Sequence, residues 1–206
     1  MKIRNLYQQG ITLLESLIAI IVIALGVLGI LGIQMRTLNN TQNSLYRTQA
    51  IRLIDDLSER IAANPNALLN IEKYITTNWG NNQEFSQNCK TEKCSNENLA
   101  KYDLLQWRNS VKNSLPLGDA RTFISDDEAS VADNKRQLGV MIAWRMNENN
   151  NSQEYLKPLN VNAATDSGNT VSCPDNHTCH LQYIPLLARC APYYASNTTK
   201  VFCPGS

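Results

Sequence analysis

Few side chains in this sequence combine the types and spacing that do chemistry, and most of those have a simpler reading. Cys173, His177, Cys179 and His180 have the donors of a zinc set. Structural zinc sites use closer cysteine spacing and a second, separated ligand pair, so the two cysteines more simply close a small loop with both histidines at its surface. Asp126-Asp127-Glu128 could gather oxygens around calcium, yet it lacks the ligand alternation of a calcium loop. Such acidic runs are ordinarily solvated, and Ser125 before it marks a helix or turn start. No phosphate-cradling glycine loop or nucleophile motif occurs. The chain is therefore read as a non-enzyme without metal or cofactor, an enzyme held by a membrane anchor being the distant alternative. Lys90, Lys93, Lys101 and Arg108 are too dispersed to make a nucleic-acid patch, and a formal net charge of +1 gives no bulk attraction to one.

Glu15 is different. It lies in a run from Ile11 to Ile33 that is apolar except for Thr12, Glu15 and Ser16. As a helix this run is roughly 35 Å long, enough for a hydrocarbon core of about 30 Å. A carboxylate at membrane depth costs about 2.5–3.5 kcal/mol and marks a partner or a function. Before the run come a short polar segment and two cations, Lys2 and Arg4, which orient it towards the cytoplasm. A secretory signal would be shorter and followed by a small-residue cleavage site. Here the pattern continues as helix instead.

The other elements must position a head beyond this anchor. Ala50, Ile54, Leu57 and Ile61 form a helical stripe, and Asn64-Pro65 should end the helix, because the residue before proline avoids helical geometry. Ser95 caps a second helix over about Asn96 to Leu115, with Leu104, Trp107, Val111 and Leu115 as its buried stripe and Pro116 and Gly118 as its stop. Gln137 to Met146 reads as a strand in which Leu138, Val140, Ile142 and Trp144 alternate with Gly139, Met141, Ala143 and Arg145. A polar turn, Asn147 to Ser152, follows. His180 to Cys190 looks like another strand, and a short one is placed near Arg121 to Ile124.

All six cysteines, Cys89, Cys94, Cys173, Cys179, Cys190 and Cys203, lie beyond the apolar run, several of them in polar surroundings. An even count in that setting fits disulfides in an oxidising compartment. Proximity joins Cys89 to Cys94 and Cys173 to Cys179 and leaves Cys190 with Cys203, one of the many pairings six cysteines permit.

Gly10-Ile11-Thr12-Leu13-Leu14-Glu15 resembles the G-F-T-L-x-E signature of type IV pilins and of the related type II secretion pseudopilins, with Ile11 where that family usually has Phe. The resemblance implies a prepilin peptidase that cuts after Gly10 and methylates the new N-terminus at Ile11. It implies that Glu15 pairs with the freed Ile11 amine of a neighbouring subunit, which sets axial register. Gly26, Gly29 and Gly32 then suit close helix packing, and also a helix that loosens in a filament, since Gly weakens helices by about 1 kcal/mol relative to Ala.

The head carries a finer likeness. Ala62-Ala63-Asn64-Pro65 resembles the R-x-x-A-N-P ending of the PilV family of minor pilins. Cys89 and Cys94 followed by Ala100-Lys101-Tyr102-Asp103-Leu104, Trp107 and Leu115-Pro116-x-Gly118 resemble its C-x-x-x-x-C, A-x-Y-D-L-x-x-W and L-P-x-G elements. Val140, Ile142 and Trp144 match its V-x-I-x-W strand. The likeness spans about residues 10–145 and supports the Cys89–Cys94 pairing.

The expected fold is thus α+β, a type IV pilin fold with a long N-terminal helix and a small antiparallel-sheet head stapled by disulfides. The expected organisation is a leader over 1–10, a transmembrane and filament-core helix over 11–33, its amphipathic continuation over 34–64, and an extracytoplasmic head over 65–206. The implied role is a minor pilin that primes pilus assembly near the tip and supports adhesion, twitching motility or DNA uptake. Its implied partners are the prepilin peptidase, other minor pilins, the major pilin and the inner-membrane assembly machinery. It would reside in the bacterial inner membrane with a periplasmic head, then in the extracellular pilus. A type II secretion pseudopilin is the alternative within the class.

Overall fold

The computed structural model describes residues 11–65, 67–68, 70–76, 78–80, 85–128, 135–146, 162–165, 170–186, 191–195 and 198–202. The predicted fold class holds: a long N-terminal helix is followed by a second helix and antiparallel strands, with two disulfides. Two compact units share the chain, one ending at Ser44 and the other running from Leu45.

The first unit is helical. Helix α1 begins at Ile11 and continues without a break to Ala63. In its N-terminal part the large apolar side chains from Leu13 to Ile33 are all exposed, Leu13 at 79%. Here hydrophobicity covers the whole circumference rather than one stripe, the pattern of a helix meant for an apolar environment.

The second unit builds a core around the rest of α1. Ala50, Ile54, Leu57 and Ile61 are fully or almost fully buried, as their spacing predicts. They pack with Ala100, Leu104, Trp107 and Val111 of α2 (Asn96–Ser114). Ser95 caps α2, its side chain accepting the N–H of Asn98 at 3.2 Å. Between the helices a short 3-10 turn, Ile71–Tyr74, buries Ile71 and Tyr74.

Strands β1 (Asp119–Phe123), β2 (Gln137–Trp144) and β5 (Thr178–Pro185) form an antiparallel sheet in the order β1-β2-β5. The register sets Phe123 opposite Gly139 and Ile142 opposite His180. Leu138, Val140, Ile142 and Trp144 face the helices. Met141 and Ala143 are buried as well, in a second cluster with Phe123, Ala163, Val171 and Cys179. That cluster is covered by the hairpin of β3 (Asn162–Ala164) and β4 (Thr170–Ser172), which the sequence reading did not anticipate. A further hairpin, β6 (Ala191–Ala195) with β7 (Thr198–Phe202), forms its own small sheet.

The strand expected over His180 to Cys190 begins earlier, at Thr178, and ends at Pro185. Proline has no N–H to continue a ladder, and residues 187–190 lie outside the described set. The same holds for Gly10, Lys2, Arg4, the polar turn Asn147 to Ser152, and the Cys190 and Cys203 pair.

Candidate assembly site

Glu15 sits in the first turns of α1 with an exposed side chain, surrounded by exposed Leu13, Leu14, Leu17 and Ile18. The adjacent Ser16 is satisfied locally, its hydroxyl donating to the Leu13 carbonyl at 3.0 Å. No ion pair to Glu15 forms among the described residues. The sequence offers no other carboxylate between Ile11 and Asp55. Ile11 is the first described residue, and α1 starts with it. By length and composition, α1 is able to cross a membrane. The arrangement is one acid on an otherwise apolar rod, and the chemistry open to it is pairing with a cation from elsewhere.

The head motifs resolve into joints between elements. Asn64 closes α1 with its N–H donating to the Arg60 and Ile61 carbonyls at 3.2 Å each. Its buried side chain donates to Tyr74 Oη at 3.1 Å and to the Asn96 carbonyl at 2.9 Å, joining α1, the 3-10 turn and α2. Burial pushes the Tyr74 phenol up to about 12, the Asn64 bond partly opposing. Arg60 pairs with Asp56 at 2.9 Å and reaches Asp103 of α2 at 3.9 Å. Burial raises the Asp103 carboxyl to about 6; Arg60 pulls it down and Asp56 adds to the rise.

Four residues after Asp103, Trp107 inserts fully into the core, and its Nε1–H donates to the Leu53 carbonyl of α1 at 2.6 Å. Arg108, only 6% exposed at its side chain, pairs with Asp119 at the start of β1 at 2.9 Å. Asp119 also accepts from the Ala120 N–H at 2.8 Å and from the Gly80 N–H. Beside Gly80, Trp79 packs on the second cluster and donates to the Ser172 carbonyl at 3.0 Å. These bonds strap residues 78–80 across the far face of the sheet. Trp79 and Asp119 escaped the sequence reading, because their partners lie far away along the chain.

The remaining candidates take structural places. Cys89 is bonded to Cys94 and Cys173 to Cys179. The second bond closes the loop carrying His177, so neither cysteine offers a thiolate to zinc, and no group of three metal-binding side chains occurs among the described residues. His180 is half-buried on β5, where burial and nearby Arg47 lower its pKa. Glu128 accepts the Arg136 and Gln137 N–H groups at 2.9 and 3.3 Å, which occupies one oxygen of the acidic run. Of the scattered cations, Arg108 is buried and Lys101 is paired with Glu97 at 2.9 Å. Lys90 and Lys93 remain exposed on the Cys89–Cys94 loop.

No curated protein matches this chain, and no solved structure does. A family model described as Tt1218-like, type IV pilin Tt1218, matches residues 32–105. The matched stretch runs from the end of the apolar segment through the rest of α1 into the first half of α2, and it supports a type IV pilin.

Proposed function

We propose that this chain is a minor pilin of the PilV kind that primes type IV pilus assembly and stays at or near the tip. The observation that carries the reading is the exposed apolar length of α1 interrupted by a single carboxylate, Glu15, just ahead of the pilin-matched residues 32–105. So much apolar surface needs lipid at first and protein neighbours later. Residues 1–10 act as a leader, removed after Gly10 on the cytoplasmic side, and Ile11 becomes the methylated N-terminus. The segment Ile11 to Ile33 then holds the chain in the inner membrane with the head in the periplasm. On assembly, Glu15 meets the Ile11 amine of a neighbouring pilin. Pairing offsets two charges that would each be costly in an apolar fibre core, and axial slip would separate them.

The finer assignment to a minor pilin rests on the head elements. Asn64, Asp103, Trp107, Gly118 and the Val140-to-Trp144 strand each hold a joint or the core of the unit. Deleting the gene and counting sheared surface pili tests the proposal, with a marked loss expected. Unchanged pili with failed protein secretion would move the chain to the type II secretion pseudopilins. Mass spectrometry of the mature chain should find methylated Ile11; a chain still starting at Met1 in piliated cells would remove the processing step.

A further inference from the structure

Where α2 turns into β1, the sequence puts a leucine in a place that suits glycine. Leu115 to Gly118 form a turn closed by the Gly118 N–H, which donates to the Leu115 carbonyl at 3.0 Å, and Leu117 takes a φ of 48°. A bulky side chain is disfavoured in this left-handed region, and turns with such a residue ordinarily carry Gly or Asn there. The other described non-glycine residue with positive φ is an asparagine, Asn176. Leu117 gains nothing from the core in exchange. It is 66% exposed, more than any other large apolar side chain among the described residues beyond Ser44.

The turn lies at the end of the head where α1 enters it. Asn64 meets Asn96 and Leu53 meets Trp107, with the same number of residues between the two bonds on each helix. The helices thus run antiparallel, and the end of α2 comes level with Tyr46. Exposed Leu45 begins the head at this end. Two exposed cations accompany the leucines. Arg145 is held beside the turn by its N–H, which donates to the Pro116 carbonyl at 2.9 Å. Arg47 of α1 lies near His180, whose partner Ile142 stands close to the same end of β2. Neither arginine has an ion pair among the described residues.

We propose that this end of the head is a docking surface for anionic lipid: Leu117 enters the interfacial layer of the bilayer, while Arg47 and Arg145 meet lipid phosphates. The inference rests on the reading of Ile11 to Ile33 as a membrane anchor. The chain from Ile33 to Leu45 reaches at most roughly 43 Å even when fully extended. The anchor therefore keeps the surface within reach of headgroups, and a weak contact suffices. Docking holds the head at the membrane, and withdrawal of Leu117 releases it.

The test places the full chain, one copy per disc, in lipid nanodiscs of phosphatidylcholine alone or with added phosphatidylglycerol. Amides at Leu117, Gly118 and Met146 are expected to exchange about fivefold more slowly in the anionic discs, and the difference should fade at high salt. Leu117→Gly separates docking from folding, because it relieves the turn. That variant should melt no lower than the parent yet lose the difference between discs. Arg47→Gln combined with Arg145→Gln should lose it as well. Equal exchange in both discs, or slowing that survives these substitutions, overturns the proposal. Slowing that needs two copies per disc, whatever the lipid charge, would make the surface a contact between subunits and overturn it too. A chain that enters neither disc would remove the anchor reading and this inference with it.

Discussion

At Asp103 the protein holds a carboxyl where burial favours its neutral form, with Arg60 only partly compensating. The folded-state value of about 6 lies above the ordinary 3.8, so the folded chain binds the proton more tightly than the unfolded one. The resulting stabilisation is complete below the ordinary value and is lost as pH rises through the folded one. It amounts to at most about 3 kcal/mol. Urea titrations at a series of pH values should therefore show stability falling across that interval, and Asp103→Asn should flatten the fall. An unaltered profile in the variant would assign the slope to other groups. Glu15 supports a different expectation, because its side chain has no structural role in the isolated chain. Glu15→Ala should leave membrane insertion intact while lowering the amount recovered in sheared pili about tenfold, since a buried unpaired amine would then face the apolar fibre. Normal recovery would dispose of the register argument.

Helix ends and joints are the parts of the elements that tolerate least. A Cβ on Gly118 would lie 2.6 Å from the Val111 carbonyl and 2.9 Å from Leu115 Cβ, so Gly118→Ala must push α2 from its own stop signal. A loss of about 1–3 kcal/mol is expected by thermal melting. Asn64→Ala would leave the Asn96 carbonyl and the Tyr74 hydroxyl without this donor, costing about 1–3 kcal/mol by the same measurement. Both helices were legible in sequence because their stripes repeat at helical spacing, and Ser95 and Pro65 punctuate them. The apolar run and Glu15 were legible for a simpler reason, a charge standing alone among aliphatic residues. Strands β3 and β4 were not, since three-residue strands have no periodicity to detect. The straps from Trp79 to Ser172 and from Gly80 to Asp119 also went unseen, because their bonds join residues remote in sequence.

For the whole molecule, the two compact units imply different solvents. Every residue of the two core clusters lies beyond Ser44, whereas most of the large exposed apolar side chains lie before it. Residues 45–206 produced alone should accordingly be soluble and melt in one cooperative transition; aggregation of that fragment would show that its fold needs the anchor. Within it, β2 has an unusual freedom. Because both faces of its middle are apolar, sliding the strand by one residue would exchange Val140 and Ile142 for Met141 and Ala143 without placing a charge at these central positions. Hydrophobic patterning at these positions cannot choose between the alignments. Phe123 can, because its ring fills the space above Gly139, with Cε2 2.6 Å from where a Cβ would stand. A slipped strand would put Leu138 or Val140 beneath that ring. The pair acts as a key and its notch, admitting one alignment during folding, and a side chain at 139 would scatter the population among several sheets rather than merely weaken one.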